Sequence, residues 1–527
     1  MKAAFQKFLS NNRAMVIFLF AVPASFLFQC LQNLGNWFYR TFRNTAKLHD
    51  AEVERIQAIV REGFNSGKQM CTARKPWKTM SIRTAEFKSE LFQVPINLRN
   101  ILALDTEKQT IKVEPMATMG DLTHYLIPKG YALKVQVEMD DLTVGGLCMG
   151  VGIETSSHRE GFLFETIVAY ELITADGTLL HVTKESHPAL FHALPWSHGT
   201  LGFLVAVELE VERVQSHVKL NYLPFHDLEE FAQQFRALAE ANQPVHFLEG
   251  LVFSESTGVI LVGEYAQPKG AERRQINPIN RWYKPWFYSH AARFLETGNA
   301  YEYIPLRQYF HRHTPSVFFQ LKDLIPFANK AWYRYLFAWL GAPKIKLMKY
   351  SMTPTLRKKA FENRVAQDII VPAASFKAGL DLITSEFEIF PLWICPLKVF
   401  DHQPYEGFIG NPPNRIPGKD YGIFIDVGIY GIPARVPKGT WNVIESSRKL
   451  EAFNRKNEGF QMLYADIFMN RAEFEMMFEH HLYRQVRKEY KADQAFPEVY
   501  DKIIPEKWLI NLEEIAAAEA RTAKLVK

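Results

Sequence analysis

Near its start the chain carries one long apolar segment. Residues 14–28 contain neither a charged nor an amide side chain, and the apolar character continues more weakly beyond them. A helix that crosses a bilayer needs about 20 apolar residues, so the hydrophobic stretch 14–34 predicts a membrane helix of nearly minimal length. An interfacial or re-entrant helix is the second interpretation. A cleaved signal peptide is the third, because residues 25–30 offer no small-x-small cleavage site.

The rest of the chain alternates between strand and helix patterns. Residues 52–64 repeat apolar positions with a helical period, and short apolar runs separated by turn residues follow to about Val211. After that, residues 228–242 predict an amphipathic helix, and strands are predicted over 245–251 and 259–265. This order of elements predicts an α+β fold with two domains.

Composition and charge are typical of a large, mildly basic enzyme. The 527-residue chain is 47% hydrophobic and long enough to bury two domain cores. Its net charge of +5 comes from 62 basic and 57 acidic residues that are interspersed, which argues against nucleic-acid binding. Cys30, Cys71, Cys148 and Cys395 are dispersed without a Cys-x-x-Cys pair, which predicts neither a disulfide framework nor a metal site. Such cysteine usage indicates reducing, cytosol-facing surroundings.

Four glycines form the most informative cluster of the chain. Gly145, Gly146, Gly150 and Gly152 fall within eight positions and precede a run of small hydroxyl residues. Glycine lets main-chain N–H groups approach an anion closely, because it has no Cβ and tolerates positive φ. The spacing is neither that of a dinucleotide-binding turn nor that of a phosphate loop ending in Gly-Lys-Ser/Thr. It predicts a loop that holds a diphosphate in another way, with a purely structural turn as the alternative.

Three further blocks surround this cluster in a fixed order. Residues 113–122 predict a strand, a turn and a helix start, residues 169–180 a hairpin around an Asp-Gly turn, and residues 199–209 an alternating strand that two glycines open. Together the four blocks resemble the FAD-binding domain of the vanillyl-alcohol-oxidase-type (PCMH-type) flavoproteins. In that family the second glycine-rich loop holds the FAD diphosphate, and the last strand start lies along the flavin.

The likeness extends beyond that domain. Six segments in the same order along the chain resemble the Δ24-sterol reductase family: 140–147, 283–287, 301–307, 309–314, 459–466 and 495–502. The resemblance implies an oxidoreductase that reduces the side-chain C24–C25 double bond of desmosterol- or lanosterol-like sterols. NADPH would be the electron donor, and the route would be protonation of the alkene with hydride transfer from reduced flavin. The family's place is in sterol biosynthesis.

The resemblance also implies a layout in four parts. These are an N-terminal membrane anchor (1–45), a two-subdomain PCMH-type FAD-binding domain (46–220), an α+β cap or substrate domain (221–503) and a helical tail (504–527). It implies the endoplasmic reticulum membrane, a single-pass anchor and a cytosolic catalytic body. Expected partners are a sterol and the lipid membrane, without nucleic acid or metal. Two other functions stay open: an FAD-dependent oxidase or dehydrogenase of a sugar lactone or alcohol, and a non-catalytic sterol-binding protein.

The FAD contacts implied by resemblance come from three loops. They are Cys71, Thr72, Ala73, Arg74, Lys75 and Pro76 of the first loop, Asp141, Leu142, Thr143, Val144, Gly145, Gly146, Gly150, Gly152, Thr155, Ser156, Ser157 and His158 of the second, and Gly199, Gly202, Phe203 and Leu204 of the third. The first loop departs from the family's Cys-Thr-Gly-Arg-Pro-Gly-Trp at Ala73, Lys75 and Pro76. A residue other than glycine costs about 1 kcal/mol if that position needs positive φ. The loop lacks the histidine that relatives use to attach flavin covalently, so dissociable FAD is expected.

The acid that would protonate an isolated alkene is not readable from a motif. The candidates lie in segments that resemble the family outside the FAD domain: Glu302, Tyr303, His311, His313, Tyr464 and Asp466. Tyr464 and Asp466 are expected on one face of a strand, where they form either a proton relay or structural hydrogen bonds to a neighbouring loop. Glu302 is expected to be either an acid with a raised pKa or a surface carboxylate in a turn. His311 and His313 are expected on one strand face, where a positioning role is favoured over metal binding.

An aromatic and basic stretch predicts a way in for a lipid substrate. Residues 330–349 mix aromatic side chains with lysines, and residues 282–287 hold a second aromatic group. Such segments suit a lipid interface, with lysines that meet anionic headgroups. The stretch therefore predicts a membrane-facing gate, and the alternative is a helix that packs its aromatic rings into the cap core.

Overall fold

The computed structural model describes residues 12–43, 46–79, 81–513 and 515. The strands are β1 (Met70–Thr72), β2 (Phe92–Val94), β3 (Ile101–Asp105), β4 (Thr110–Val113), β5 (Tyr131–Leu133), β6 (Ile167–Ile173), β7 (Leu179–Val182), β8 (Phe203–Arg213), β9 (His217–Phe225), β10 (Phe247–Val252), β11 (Gly258–Ala266), β12 (Ala300–Pro305), β13 (Val365–Pro372), β14 (Leu392–Phe400), β15 (Tyr421–Gly431) and β16 (Phe460–Gln461). The helix predicted from residue 513 onward falls almost entirely outside the described residues.

The α-helices are numbered in chain order. They are α1 (Arg13–Val16), α2 (Val22–Arg43), α3 (Ala46–Asn65), α4 (Met119–Leu126), α5 (Val144–Cys148), α6 (Ser157–Glu160), α7 (Pro188–Ala193), α8 (Leu228–Ala239), α9 (Phe287–Ala291), α10 (Phe294–Thr297), α11 (Leu306–Phe310), α12 (Leu321–Leu324), α13 (Ala331–Leu336), α14 (Ile345–Tyr350), α15 (Pro354–Asn363), α16 (Phe376–Phe387), α17 (Val443–Lys456), α18 (Arg471–Met477), α19 (His481–Glu489), α20 (Ala492–Ala495) and α21 (Val499–Ile503).

The first domain is built on an antiparallel sheet that follows the small parallel pair β1–β2. Over the described residues its strand order is β3-β4-β8-β6-β7, with β5 also paired to β8. The predicted hairpin is confirmed: β6 pairs with β7 around Asp176 and Gly177. Gly177 has a φ of 81°, and the Asp176 carboxylate accepts the Thr178 N–H at 3.2 Å, so the turn needs both residue types.

The second domain is a larger sheet with two unlike faces. Its order is β12-β9-β11-β10-β14-β15-β13-β16 over the described residues. One face carries apolar side chains such as Ile369 and Val427, which pack with residues of α8, α16 and α17. The alternate positions of the same strands point to the first domain, and they include Trp393 and Tyr430. The domain boundary expected at 220 lies inside β9, which begins at His217 and belongs to this sheet.

The chain returns to the first domain near its end. Residues of α19 to α21 are buried in the same core as the strands of the first sheet. The Arg487 guanidinium donates to the backbone oxygens of Thr200 and Phe496 at 2.9 and 2.7 Å, and the Tyr483 and Thr200 hydroxyl groups lie 2.6 Å apart. The last helices therefore hold the loop that precedes β8.

The N-terminal apolar segment is helical throughout, since a π-helical turn (Ile17–Ala21) joins α1 to α2. Among the described residues, Arg13–Gly35 is the helix long and apolar enough to cross a membrane. One side is docked on the body: Val22 is fully buried, and the Phe18 ring lies 5.1 Å from that of Phe337. The Ser25 hydroxyl accepts the backbone N–H of Lys344 at 2.9 Å.

The other side of this helix is open. Its exposed large apolar residues are Met15, Leu19, Phe20, Leu27, Leu31 and Leu34, and Trp332, Tyr335, Leu336 and Trp339 are exposed on the adjacent segment that starts at α13. A contiguous apolar surface of this kind marks a site of membrane or protein contact. The helix fits a membrane anchor.

Candidate active site

The first loop of the FAD site follows β1 and is held by its backbone. The Ala73 N–H donates to the Val94 oxygen at 2.8 Å, and the φ of Ala73 is not positive, so alanine in place of glycine carries no backbone strain here. The Lys88 amine donates to the backbone oxygens of Thr72 and Arg74 at 3.0 and 2.9 Å. The departure from the family sequence at Ala73 therefore leaves the loop intact.

The second loop lies directly beside the first. The Arg74 guanidinium donates to the Thr143 hydroxyl at 2.9 Å, which joins the two loops. A Cβ on Gly145 would lie 2.6 Å from the Pro115 Cβ, and one on Gly150 would lie 2.5 Å from the Gly146 oxygen. None of these glycines has a positive φ, so the missing Cβ, rather than backbone freedom, is what the loop requires.

Cationic side chains without acidic partners surround the first loop. They are Arg74, Arg83, Lys88, Lys349 and Lys502, whose N–H groups donate to backbone oxygens and hydroxyl groups. Within the described residues none of them forms a salt bridge. Burial lowers the pKa of Lys349 to about 7 and that of Lys502 to about 8. Asp466 and Glu506 act on Arg83, and Glu506 on Lys349, from beyond salt-bridge distance. The remaining excess of buried positive charge suits a polyanion such as a diphosphate.

Orphaned polar atoms mark the same place. The Arg74 Nε, His158 Nδ1, Trp196 Nε1 and His198 Nε2 atoms are buried and have no hydrogen-bond partner in the described part of the chain. Buried donors normally find partners, so a ligand with polar groups fits these loops. His158 also binds the Val245 oxygen through Nε2 at 2.8 Å, and burial lowers its pKa to about 3, so its ring is neutral at physiological pH.

The third loop lies beside the second, since the His198 N–H donates to the Met149 oxygen at 2.7 Å and the Trp196 N–H to the Gly150 oxygen at 3.3 Å. Gly199 has a φ of 72°, and the Lys502 amine donates to the neighbouring His198 oxygen. A Cβ on Gly202 would lie 2.8 Å from the Ile173 oxygen, where β8 begins its pairing with β6. Phe203 and Leu204 are buried strand residues. The third loop is therefore fixed where β8 joins the sheet of the first domain, whereas the first loop follows the separate β1–β2 pair.

A buried charge cluster joins the two domains. The Arg312 guanidinium donates to both Glu249 carboxylate oxygens at 2.7 Å and to Glu154 at 2.8 Å, with Glu138 at 3.5 Å. Because one cation cannot compensate three carboxyl groups equally, their pKa values shift in different directions. Burial raises the pKa of Glu138 and of Glu154, whereas for Glu249 the contacts with Arg312 outweigh burial and hold the pKa well below its usual range.

A second polar group lies on the same face of the second sheet. The hydroxyl groups of Tyr430 and Tyr464 both donate to the Asp368 carboxyl. Asp368 lies opposite Gly428 in the β13–β15 register. A Cβ on Gly428 would lie 2.6 Å from the Tyr430 hydroxyl, so the glycine gives the tyrosine ring room to reach across. Sequence reasoning missed Asp368, although a lone aspartate in an apolar strand was a signal.

Tyr464 also lines a cavity of about 250 Å³ at the β13–β16 edge. Most of its wall is apolar, including Met348, Phe361, Leu450 and Phe468, while Gln461, Asp466 and Glu451 supply polar groups. The first residues of the N-terminal helix and those of α14 close one side. Four basic residues, Arg13, Lys349, Arg357 and Arg364, also line the cavity. A mainly apolar wall with a limited number of polar groups is the usual form of a site for a small ligand.

The structure separates the other catalytic candidates. Residues 464 and 466 lie in a turn rather than on a strand, so the expected pair on one strand face is wrong. Asp466 instead accepts from Arg357 at 2.8 Å. Glu302 lies on edge strand β12, not in an exposed turn, and accepts from Tyr222 at 2.5 Å and from Asn277 at 2.8 Å. Its pKa is lowered, because contacts with His290 and these donors outweigh burial.

The two histidines and Tyr303 have structural partners. His311 follows α11 instead of lying on a strand, and its ring nitrogens lie 2.6 Å from Asp140 Oδ1 and 2.9 Å from the Thr123 hydroxyl. His313 contacts Glu249 at 3.4 Å inside the charge cluster. The Tyr303 hydroxyl donates to Glu272 at 2.8 Å. These residues therefore lie apart from the Tyr464 cavity.

The lysines of the expected membrane gate face inward. Lys344 and Lys346 lie 3.6 and 3.5 Å from Asp141 in the second FAD loop. The Lys349 amine donates to the Pro76 and Thr79 oxygens at 2.7 and 3.1 Å. These three lysines thus bind the segment to the loops expected to contact FAD. Its exposed aromatic residues are Trp332, Tyr335 and Trp339.

Comparison with known proteins agrees with this geometry. Residues 79–183 match the family model described as FAD binding domain, and the match contains the second loop and the β6–β7 hairpin. Together with the loops and their cations, this makes the protein an FAD-binding protein of the vanillyl-alcohol-oxidase (PCMH) type.

Relatives that match nearly the whole chain show to which family of FAD-binding proteins it belongs. The chain is 41% identical over 498 residues to Delta(24)-sterol reductase of Homo sapiens, with 94% of each chain covered. It is 36% identical over 512 residues to Delta(24)-sterol reductase of Arabidopsis thaliana, covering 93% of this chain and 91% of that protein. L-gulonolactone oxidase of Bos taurus matches 37% of this chain at 27% identity. The chain belongs to the Delta(24)-sterol reductase family.

Charge reversal at Lys349 tests the FAD loops. Lys349→Glu removes a cation from the first loop and places a carboxylate against its backbone oxygens, so we expect at least a tenfold weaker hold on FAD, from roughly 1.5–3 kcal/mol per charged hydrogen bond. The ratio of flavin to protein absorbance after gel filtration measures it. Lys358→Glu, on an exposed part of α15 beside Glu362, is the matched control and should keep its flavin. If both variants kept the same flavin content and only Lys349→Glu bound liposomes more weakly, residues 330–349 would instead be interpreted as the membrane-facing gate.

Proposed function

We propose that this protein reduces the C24–C25 side-chain double bond of sterols, with FAD as a dissociable cofactor and NADPH as electron donor. The observation that carries the proposal is the 41% identity to a Delta(24)-sterol reductase over 94% of both chains. The proposal is also supported by the mainly apolar cavity that Tyr464 lines, because the Tyr464 hydroxyl group is bonded to the Asp368 carboxyl. The bovine oxidase resembles a smaller part of the chain, which gives the rival oxidase function less support.

The chemistry of an isolated alkene sets what the chain must do. With no neighbouring carbonyl to accept charge, the double bond needs a proton at the less substituted carbon and a hydride at the other. Bound FAD in its reduced form supplies the hydride. The protein has to hold the side chain, exclude water and deliver the proton.

Tyr464 is the proposed proton donor. Of the catalytic candidates whose side chain lines the cavity, it has a hydroxyl group bonded to a buried carboxyl, that of Asp368. The apolar wall formed by residues such as Leu450 and Phe468 would bind the sterol side chain and keep water out. The Asp466 carboxyl group, by contrast, accepts a hydrogen bond from Arg357 at 2.8 Å and has no bond to Tyr464.

The proposed location follows from the exposed apolar helix. A membrane-bound sterol could enter from the surface formed by the N-terminal helix and α13, since the start of that helix also lines the cavity. We place the protein on the endoplasmic reticulum membrane, with residues 1–45 as anchor and the body in the cytosol, where NADPH is available. The proposed domains are 46–220 for FAD and 221–503 for the substrate, except that β9 from His217 belongs to the substrate domain's sheet and α19 to α21 pack back onto the FAD domain.

An anaerobic two-step titration tests the function. Detergent-purified protein is reduced with NADPH and then given a Δ24-unsaturated sterol while the visible flavin absorbance is followed. We expect bleaching by NADPH, recovery on sterol addition and a saturated product. Bleaching without recovery would reject this substrate class, and recovery with oxygen and a sugar lactone would favour the oxidase. Protein that carries no flavin and still binds sterol would support the non-catalytic alternative.

A further inference from the structure

A pair of buried aspartates stands behind Tyr464. Asp426 lies on β15, two residues from Gly428, and Gly428 is directly opposite Asp368 on β13. Positions 426, 428 and 430 share one face of the strand, so Asp426 and Tyr430 flank Asp368 diagonally. Both aspartates are fully or almost fully buried.

Among the described residues, no lysine or arginine acts on this pair. Both carboxyl oxygens of Asp426 are buried and receive no hydrogen bond from an N–H or O–H group in the described part of the chain. The groups acting on the pair are Tyr430, Tyr464 and the aspartates themselves, without a lysine or arginine. Cys395 lies directly across from Asp426 on β14. Beyond Cys395 stands the charge cluster of Glu154, Glu249 and Arg312, in which the carboxyl groups already outnumber the cation.

Two adjacent buried carboxyl groups without a cation hold at least one proton at neutral pH, because a second negative charge would be both desolvated and repelled. Burial raises the pKa of Asp368 to about 6, and burial and the neighbouring Asp368 raise the pKa of Asp426 well above its usual range. Burial and the same carboxyl also raise the pKa of Tyr464. A phenol on its own is therefore too weak an acid for an alkene and needs a stronger acid behind it.

We propose that Asp368 and Asp426 share one proton that resupplies Tyr464 during the protonation of the substrate. The proposal rests on the proposed function and adds Asp426 to it as a residue that acts through Asp368. The Tyr464 O–H bond breaks as a C–H bond forms at the less substituted alkene carbon. For this step the Tyr464 hydroxyl turns to the alkene and accepts from protonated Asp368, so that the carboxyl O–H of the pair breaks as the Tyr464 O–H re-forms. The hydride for the other carbon comes from the reduced cofactor, and water later returns a proton to the pair.

The kinetic test compares two amide variants of buried carboxyl groups. In Asp426→Asn the pair loses its shared proton, so we expect sterol-dependent reoxidation of NADPH-reduced protein to slow at least about tenfold. Reduction by NADPH should stay unchanged. The wild-type rate should fall as pH rises through the titration of the pair, and this decline should be absent in Asp426→Asn. Glu302→Gln, which loses a carboxylate bonded to Tyr222 on distant strand β12, is the control and should match the wild type.

Glu451 provides the outcome that overturns the proposal. It also lines the cavity, has one buried oxygen without a hydrogen-bond partner among the described residues, and burial raises its pKa to about 7. A large loss of the sterol-dependent rate in Glu451→Gln, with a wild-type rate and pH profile in Asp426→Asn, would identify Glu451 as the proton source instead of the aspartate pair. A wild-type pH profile in Asp426→Asn would overturn the proposal regardless of Glu451.

A measurement without sterol separates this proposal from the proposed function. The folded-state pKa of the pair lies above the unfolded value of about 4, so the stability it contributes is present at low pH and is lost as pH rises through about 6 and beyond. The melting temperature of Asp426→Asn relative to wild type should therefore increase over that pH window. A constant difference would refute the shared proton, even if the wild type reduces sterols. If sterol fails to reoxidise the wild type while the difference grows, the proposed function fails and the shared proton remains.

Discussion

Tyr464→Phe is expected to lower the rate of sterol-dependent flavin reoxidation by about 10²- to 10⁴-fold, the usual contribution of a general acid. The substitution removes one oxygen atom and leaves the ring that lines the cavity, so sterol binding should change little. Reduction of the flavin by NADPH should proceed at the wild-type rate, because the hydroxyl group is bonded to Asp368 and not to an FAD loop. Stopped-flow absorbance measures both half-reactions separately.

Two variants control this result. Tyr303→Phe removes another hydroxyl group bonded to a carboxylate, that of Glu272, on strand β12 away from the cavity, and should be silent. Tyr430→Phe removes the second hydroxyl bonded to Asp368 without touching a residue that lines the cavity. If Tyr430→Phe abolished sterol reduction while Tyr464→Phe did not, the roles assigned to the two tyrosines would be reversed.

Arg312→Met is expected to be the most destabilising single change, with a loss of about 3–5 kcal/mol in the free energy of unfolding. Arg312 is 1% exposed and is the cation among Glu138, Glu154 and Glu249, which belong to both domains. Removing it leaves three buried carboxyl groups to be neutralised by protonation alone. Denaturant unfolding of detergent-solubilised protein, followed by tryptophan fluorescence, measures the loss.

The matched change at the surface is Arg415→Met. Arg415 pairs with Asp401, but its side chain is 54% exposed, and such pairs contribute at most about 1 kcal/mol. A loss at Arg312 no larger than the loss at Arg415 would mean that the cluster is hydrated in solution and does not hold the domains together.

Local signals predicted the fold well. The Asp-Gly pair at 176–177 predicted the β6–β7 hairpin, and the apolar period after residue 228 predicted α8, because in both cases residues close in sequence decide the conformation. The glycine cluster and its neighbouring blocks predicted the FAD-binding domain, which the family match confirms. Helix and strand patterns carry this information without reference to the rest of the chain.

Long-range pairing in the candidate site could not be predicted in the same way. Tyr464 was assigned to Asp466, yet its hydroxyl group meets Asp368, which is 96 residues away, and Asp466 meets Arg357, which is 109 residues away. Such partners depend on which strands become neighbours, here β13, β15 and β16. A usable signal was present in the strands themselves: Asp368 and Asp426 each interrupt an apolar run at a position that faces the core.

Because the N-terminal helix is docked on the body of the protein, its deletion would affect more than membrane attachment. Phe18 and Val22 complete an apolar cluster with residues of α12 and α13, and Arg13 lines the cavity that ends at Tyr464. A shortened protein, made to dissolve without detergent, would lose part of the wall of this cavity together with the helix that fits a membrane anchor. Inactivity of such a protein could then result from the opened cavity rather than from the loss of the membrane helix. Solubility is better sought by substituting the outward-facing leucines, such as Leu27 and Leu31, while the inner face stays in place.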